Sequence, residues 1–140
     1  MTIATLIDSQ TADQKKIEGL YREKLLKKAN VMTFAVFTRS AEADIEDMFG
    51  AEFYVDLVNA EFETQLAAPN DIKALKSKEP RILQRLEKYF EEHPFKDGSF
   101  SHYRPARYFS ENSKKLAKKL PKEAKDSFEA AFQALNALLK

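Results

Sequence analysis

The sequence predicts an α/β fold in which a small parallel sheet at the N-terminus is followed by a mostly helical region. Two short apolar runs, residues 2–8 and 31–37, have the partly β-branched composition of buried strands. A segment with helical spacing lies between them, and strand–helix–strand units are parallel and right-handed in nearly all proteins. After residue 62, apolar residues recur at helical spacing. These three observations together predict a βαβ unit followed by helices.

The composition indicates one domain over residues 1–140, with an α/β part (1–62) and a helical part (63–140). Hydrophobic residues make up 44% of the chain, enough for a core at this length. Lys and Arg number 23 against 22 Asp and Glu, so no global charge demands nucleic acid or a basic partner. With 3 glycines, the chain lacks glycine-rich phosphate loops of the Walker or dinucleotide type.

The absence of cysteine and of long apolar runs narrows the class of protein further. Because cysteine is absent, disulfides and thiolate metal sites are excluded, and the composition fits a reducing cytoplasm. No run approaches the length of a membrane helix, and the first residues lack the pattern of a signal peptide. We therefore expect a cytoplasmic protein without membrane contact.

The first helix is predicted over residues 11–28. Thr11 and Gln14 have the spacing of a capping box, which marks a helix start. Lys27 and Lys28 would suit the negative end of the helix dipole, and Asn30 is a reasonable stop. The expected apolar face consists of Ile17, Leu20, Tyr21 and Leu25.

Further helical segments are expected in the rest of the chain. Their predicted starts are Glu52, Asp71 as a cap, Pro80, Pro105 and the residue after Pro121. The helix after Glu52 has an apolar stripe of Phe53, Tyr54, Leu57, Val58 and Phe62. The helix after Pro80 has Ile82, Leu83, Leu86, Tyr89 and Phe90, and the last helix has Phe128, Phe132, Leu135 and Leu139.

Acidic residues follow both predicted strands. Asp8 ends the first strand, and Asp44, Glu46 and Asp47 follow the second. The carboxyl ends of parallel strands meet at one sheet edge, where ligands gather, and carboxylate oxygens favour Mg²⁺ or Mn²⁺. A metal site built from these four acids is therefore one hypothesis. The alternative is that Asp8 is a loop acid and that the other three cap a helix.

The order of these segments resembles a Toprim domain. Residues 6–13, 31–37 and 43–49 look like successive Toprim blocks, similar to the C-terminal half of that domain in ATP-dependent endonucleases of the overcoming-lysogenisation-defect (OLD) family. Residues 104–106, Arg-Pro-Ala, resemble the Lys-Pro segment of that family, and residues 121–139 resemble its closing helix. The resemblance spans nearly the whole chain.

This resemblance implies metal-dependent cleavage of phosphodiester bonds in DNA, as in phage defence, with Mg²⁺ or Mn²⁺ as cofactor. Asp8 matches the first acid of the family's Asp-x-Asp motif, and Glu46 matches its second-metal glutamate. Arg104 stands where the family has a lysine that meets the substrate phosphate. The resemblance thus implies Asp8, Glu46 and Arg104 as catalytic residues.

Three departures from the family pattern affect the expected activity. Gln10 stands in place of the second acid, and Asp13 in place of a glycine. The sequence begins at the Asp-x-Asp strand, without the upstream strand and ATPase domain. We therefore expect an inactive or partner-dependent chain. Its partner would be the upstream polypeptide or a second copy, joined through an open sheet edge.

Two alternatives to a nuclease stay open from the sequence. One is a non-catalytic interaction module that keeps the fold. The other is an unrelated small α/β protein whose acids cap its helices.

Overall fold

Two short strands form a parallel sheet near the N-terminus. The computed structural model describes residues 3–8, 11–24 and 27–139. β1 (Thr5–Ile7) and β2 (Val31–Thr33) are parallel, with Thr5 opposite Val31, and α1 (Thr11–Arg22) connects them. This confirms the predicted α/β class and the pairing of the first two strands.

Helices make up most of the remaining structure. The α-helices are α2 (Phe34–Thr38), α3 (Ala51–Glu61), α4 (Ile82–Glu92), α5 (Tyr103–Glu111), α6 (Ser113–Leu116) and α7 (Lys122–Leu138). Short 3₁₀ turns cover Lys28–Asn30, Ile45–Phe49, Ile72–Ala74 and Ala117–Lys119. None of the helices among the described residues combines the length and the apolar composition that a membrane span requires.

The prediction of a second strand over residues 31–37 was wrong for its second half. The strand ends at Thr33, and the next residues form α2. Phe34 is buried but Val36 is 65% exposed, so this run is not covered on both faces as a buried strand would be. Short apolar runs do not distinguish strand from helix by periodicity, which explains the error.

The first helix is shorter than the predicted span of residues 11–28. It ends at Arg22, and Lys24 has a left-handed backbone (φ 57°) that takes the chain out of the helix. The Asn30 side chain donates a hydrogen bond to the Ile3 carbonyl at 3.0 Å, beside the start of β1. The chain therefore leaves the helix early enough to align β2 with β1. The predicted capping box of Thr11 and Gln14, and also Leu25, lie outside the residues whose side chains the structure describes.

The main core surrounds α3, as its apolar stripe predicts. All five predicted residues of that stripe are buried, and α4 contributes Ile82, Leu86 and Phe90. Gly50 precedes α3 with φ 81°, a backbone conformation that favours glycine. The predicted cap of the 3₁₀ turn Ile72–Ala74 is also confirmed, because the Asp71 carboxylate accepts the Lys73 N–H at 2.9 Å.

A second, smaller core cluster joins α2 to α7. It consists of the buried residues Phe34, Ala43, Met48 and Ala131. The Ser127 hydroxyl on α7 donates to the Phe37 carbonyl at 3.1 Å. The stripe predicted for α7 was partly wrong, since Phe132 is 62% and Leu139 is 57% exposed, and small residues of α7 are buried instead.

Candidate functional site

Asp8 lies at the carboxyl end of β1, as predicted, and is partly buried. It borders a surface cleft of about 470 Å³ that is also lined by Lys16, Phe34 and Ile45. The end of β1 and the start of the turn Ile45–Phe49 therefore lie at the same part of the surface. Of the described residues in that turn, Ile45 rather than Glu46 lines the cleft.

Asp44 forms a buried ion pair with Arg81. The Nη1 atom of Arg81 donates to both carboxylate oxygens of Asp44, at 3.0 and 2.9 Å. The Asp44 side chain is 2% exposed and that of Arg81 is 11% exposed. A second acid, Glu42, lies 3.6 Å from Arg81 Nε, which is too long for a hydrogen bond. Because Arg81 is the residue just before α4, the pair fixes that helix start against the acidic segment.

Asp47 caps two segments with one carboxylate. Its Oδ2 accepts the Asp44 N–H at 2.8 Å, as in a capping box around the turn Ile45–Phe49. Its Oδ1 accepts the Ile82 N–H at 2.8 Å, which is one of the N–H groups that α4 leaves without a partner at its first turn. Burial raises the pKa of the Asp47 carboxyl, against the lowering effect of these two hydrogen bonds.

Glu46 points its buried carboxylate at a surface histidine. Its Oε1 lies 3.2 Å from His102 Nδ1, and the side chains are 11% and 66% exposed, respectively. The hydroxyl of Tyr54, at 2% exposure for the residue, is buried without a hydrogen-bond partner in the described structure. Burial, together with the charges of Glu46 and its acidic neighbours, raises the pKa of Tyr54 well above its ordinary value. The Tyr54 hydroxyl therefore stays protonated.

Arg104 is held against the end of α3. Its Nε donates to Glu61 Oε1 at 2.7 Å, and its Nη1 donates to Gln65 Oε1 at 2.8 Å. Its guanidinium carbon lies 4.2 Å from the centre of the Phe62 ring, a cation–π contact. These contacts join α5 to α3. They engage the Arg104 guanidinium, which the sequence resemblance predicts to contact a substrate phosphate.

The predicted Mg²⁺ or Mn²⁺ site depends on Asp8 and Glu46. The oxygens of Asp44 and Asp47 already accept hydrogen bonds, and the Arg81 guanidinium beside Asp44 would repel a cation. Among the described residues, no group of three or more His, Cys, Asp or Glu side chains is arranged to hold a metal ion. Gln10, at the position of the family's second acid, lies outside the described residues. Metal binding by Asp8 and Glu46 stays a prediction.

The partners of the acidic segment come from distant parts of the chain. Arg81 lies 37 residues from Asp44, and no local pattern links them. His102 lies 56 residues from Glu46, and no local pattern links this pair either. The one available signal for Arg81 was its position after Pro80, at the start of a predicted helix.

Comparisons with known proteins do not assign this chain to a family. No protein-family model, curated protein or solved structure gives a match to this chain.

Proposed function

We propose that this chain is an interaction module related to Toprim nucleases, and that it does not cleave DNA by itself. The observation that carries the proposal is the buried contact between Asp44 and Arg81. It gives one acid of the predicted site a structural partner, and breaking such a pair would leave an uncompensated buried charge. An acid with that role is poorly suited to exchange its partner for a metal ion.

Asp47 and Arg104 support the same proposal. Asp47 satisfies two backbone N–H groups, one of them at the start of α4. Arg104 forms an ion pair with Glu61, whose Oε1 also lies 3.4 Å from Arg107 Nη2. Residues that a nuclease would need for metal and phosphate are thus engaged in contacts that hold segments together.

The sheet supports a role in pairing with another polypeptide. In the described part of the chain it consists of β1 and β2 alone, so each strand has one side without a strand partner. Unpaired strand edges are templates for a further strand, and two strands alone are marginally stable. We propose that a partner polypeptide with the upstream Toprim strand adds to this sheet, in the cytoplasm.

A partner-dependent nuclease is the second candidate, and Asp8 is the observation that favours it. Asp8 stands at the carboxyl end of β1, beside a cleft at the protein surface. Ligands gather at such strand ends in open α/β sheets. In this candidate, Asp8 and Glu46 bind Mg²⁺ or Mn²⁺, and the partner contributes the proton-transfer group.

A cleavage assay tests the proposal that the chain does not cleave DNA by itself. The full chain is incubated with supercoiled plasmid in Mg²⁺ and separately in Mn²⁺, beside an Asp8→Ala variant. We expect no nicked or linear product from either protein, because the proton-transfer group is assigned to the partner. A general acid or base alone contributes on the order of 10²–10⁴ in rate.

Two positive results have different meanings. Cleavage by the native chain that is lost in Asp8→Ala would overturn the proposal and support the nuclease. Cleavage that Asp8→Ala leaves unchanged would come from a contaminating nuclease. Repeated purification of the chain should then remove the cleavage activity.

Both candidates predict an inactive isolated chain, so calorimetric titration with Mn²⁺ distinguishes them: binding that is lost in an Asp8→Ala variant would favour the partner-dependent nuclease.

A further inference from the structure

A cationic cleft lies between residues 74–79 and one face of α4. Its volume is about 570 Å³. Four cationic and two acidic side chains line it: Lys76, Lys78, Arg85, Lys88, Glu79 and Glu92. One acid is used within the cleft, since Lys88 Nζ pairs with Glu79 Oε1. The cleft therefore carries a local positive excess on a chain whose net charge is close to zero.

Arg85 is fixed at this cleft with donor capacity remaining. Its Nη2 donates to the Leu75 carbonyl at 3.4 Å, which orients the guanidinium. Its Nε is buried and has no hydrogen-bond partner in the described structure. Arg85 lines the cleft and forms no ion pair with another described residue, so its guanidinium charge is available to an anion there.

Lys76 and Lys78 add charge from the facing segment. Neither forms an ion pair with another described residue, and both are exposed. The Ser77 hydroxyl between them accepts the Glu79 N–H at 3.3 Å, so its own proton stays free to be donated. Cations on two sides of a cleft, with a hydroxyl donor between them, suit the several oxygens of a phosphate group.

An aromatic pair belongs to the same cleft. Tyr89 and His93 lie one turn apart on α4 and its cap, with ring centres 4.2 Å apart and planes inclined by 11°. The pair is kept in place by a contact of 3.1 Å between His93 Nδ1 and the Tyr89 carbonyl oxygen. Flat aromatic surfaces beside a cationic groove are the arrangement on which nucleic-acid bases stack.

We propose that this cleft binds a nucleoside phosphate. Its phosphate oxygens bind Lys76, Lys78 and Arg85, and its base stacks against the Tyr89–His93 pair. The volume falls within the range of about 300–1,000 Å³ that is common for small-molecule sites. A free nucleotide and a nucleotide unit of single-stranded nucleic acid share this chemistry, and the experiment below distinguishes them.

The test is calorimetric titration of the full chain at low ionic strength, without divalent cations. The probes are ATP, pyrophosphate, adenosine and a ten-residue oligothymidylate. We expect ATP to bind more tightly than pyrophosphate or adenosine, because ATP alone of these three uses both parts of the cleft. Tighter binding of the oligothymidylate than of ATP would identify single-stranded nucleic acid as the source.

Matched variants locate the binding. Lys76→Gln with Lys78→Gln removes two charges at the cleft, and we expect an affinity loss on the order of tenfold. Lys118→Gln with Lys119→Gln removes the same charge from exposed lysines elsewhere and should leave affinity unchanged. His93→Ala should weaken ATP binding and leave pyrophosphate binding unchanged.

Three results would overturn the proposal. The first is no heat of binding for any phosphate-bearing probe. The second is an equal loss of affinity in both lysine pairs, which would indicate non-specific attraction. The third is a His93→Ala variant that binds ATP like the native chain, which would leave the cleft without a role for a base.

Discussion

At the scale of single residues, Asp44 joins two parts of the chain that are distant in sequence. Its carboxylate lies between the turn Ile45–Phe49 and Arg81, the residue before α4. Both side chains are almost fully removed from water, at 2% and 11% exposure. Removal of charge from water is costly, and the mutual attraction of the pair offsets that cost only while both partners are present.

We predict that Asp44→Asn lowers the free energy of unfolding by about 3 kcal/mol, because buried Arg81 loses its close carboxylate partner and keeps only the longer contact with the more exposed Glu42. Urea denaturation followed by far-ultraviolet circular dichroism measures this loss. Asp126→Asn is the matched control, since it breaks the exposed ion pair with Lys122. The control should leave the denaturation midpoint unchanged. Equal stability of Asp44→Asn and the native chain would contradict the structural role of the pair.

The capping role of the acidic segment was predictable from local sequence, and its partners were not. An Asp three residues before another Asp, ahead of apolar residues, is typical of a helix start. That Asp47 also caps α4, through the Ile82 N–H, depends on a contact across 35 residues. Contacts between residues so far apart in sequence arise when whole helices pack together. The periodicity of a single sequence does not show which helices pack against each other.

At the scale of elements, only part of the apolar stripe of α7 packs against the rest of the protein. Phe128 packs edge-on against Phe49, with ring centres 5.1 Å apart, whereas Phe132 is 62% exposed. Ala124 and Ala131 occupy buried positions instead. Small residues let α7 approach α2 closely, so the contact face is rotated away from the larger side chains.

We predict that Phe128→Ala lowers the free energy of unfolding by about 2–3 kcal/mol, because it removes a packed aromatic ring. Phe132→Ala, the same change one turn later on the same helix, should alter stability by less than about 0.5 kcal/mol. Thermal and urea denaturation of both variants provide the measurement. A larger loss for Phe132→Ala would mean that the exposed face of α7 is covered in solution.

The exact course of the chain at β2 could not be predicted for a related reason. Among the residues that the structure describes, the sheet has two strands, so β2 has no second neighbour there to extend it beyond Thr33. The next residues, Phe34–Thr38, instead form a helical turn whose end is marked by Arg39 with φ 56°. By contrast, all five residues of the stripe predicted for α3 are buried, four within the helix and Phe62 at its C-cap, because that helix is surrounded by the main core.

At the scale of the whole molecule, buried residues are distributed unevenly. None of residues 3–8, 15–24 and 27–33 is buried, whereas the main core extends from α3 through α4. The N-terminal unit of β1, α1 and β2 therefore depends on a three-residue strand pairing and on partly covered side chains. Regions with few buried apolar contacts open at lower free energy than the core.

We predict that amide hydrogen exchange divides the chain at this boundary. Amides of α3, such as those of Val55, Leu57 and Val58, should exchange only through global unfolding, and those of α1 through local opening at lower free energy. Mass spectrometry of exchanged peptides over a series of low denaturant concentrations measures both classes. Protection of α1 equal to that of α3 would contradict this division and show one cooperative unit. The proposed function also predicts low protection of β1 and β2 in the chain without its partner. A partner strand that adds to the sheet would then raise the protection of this N-terminal unit selectively.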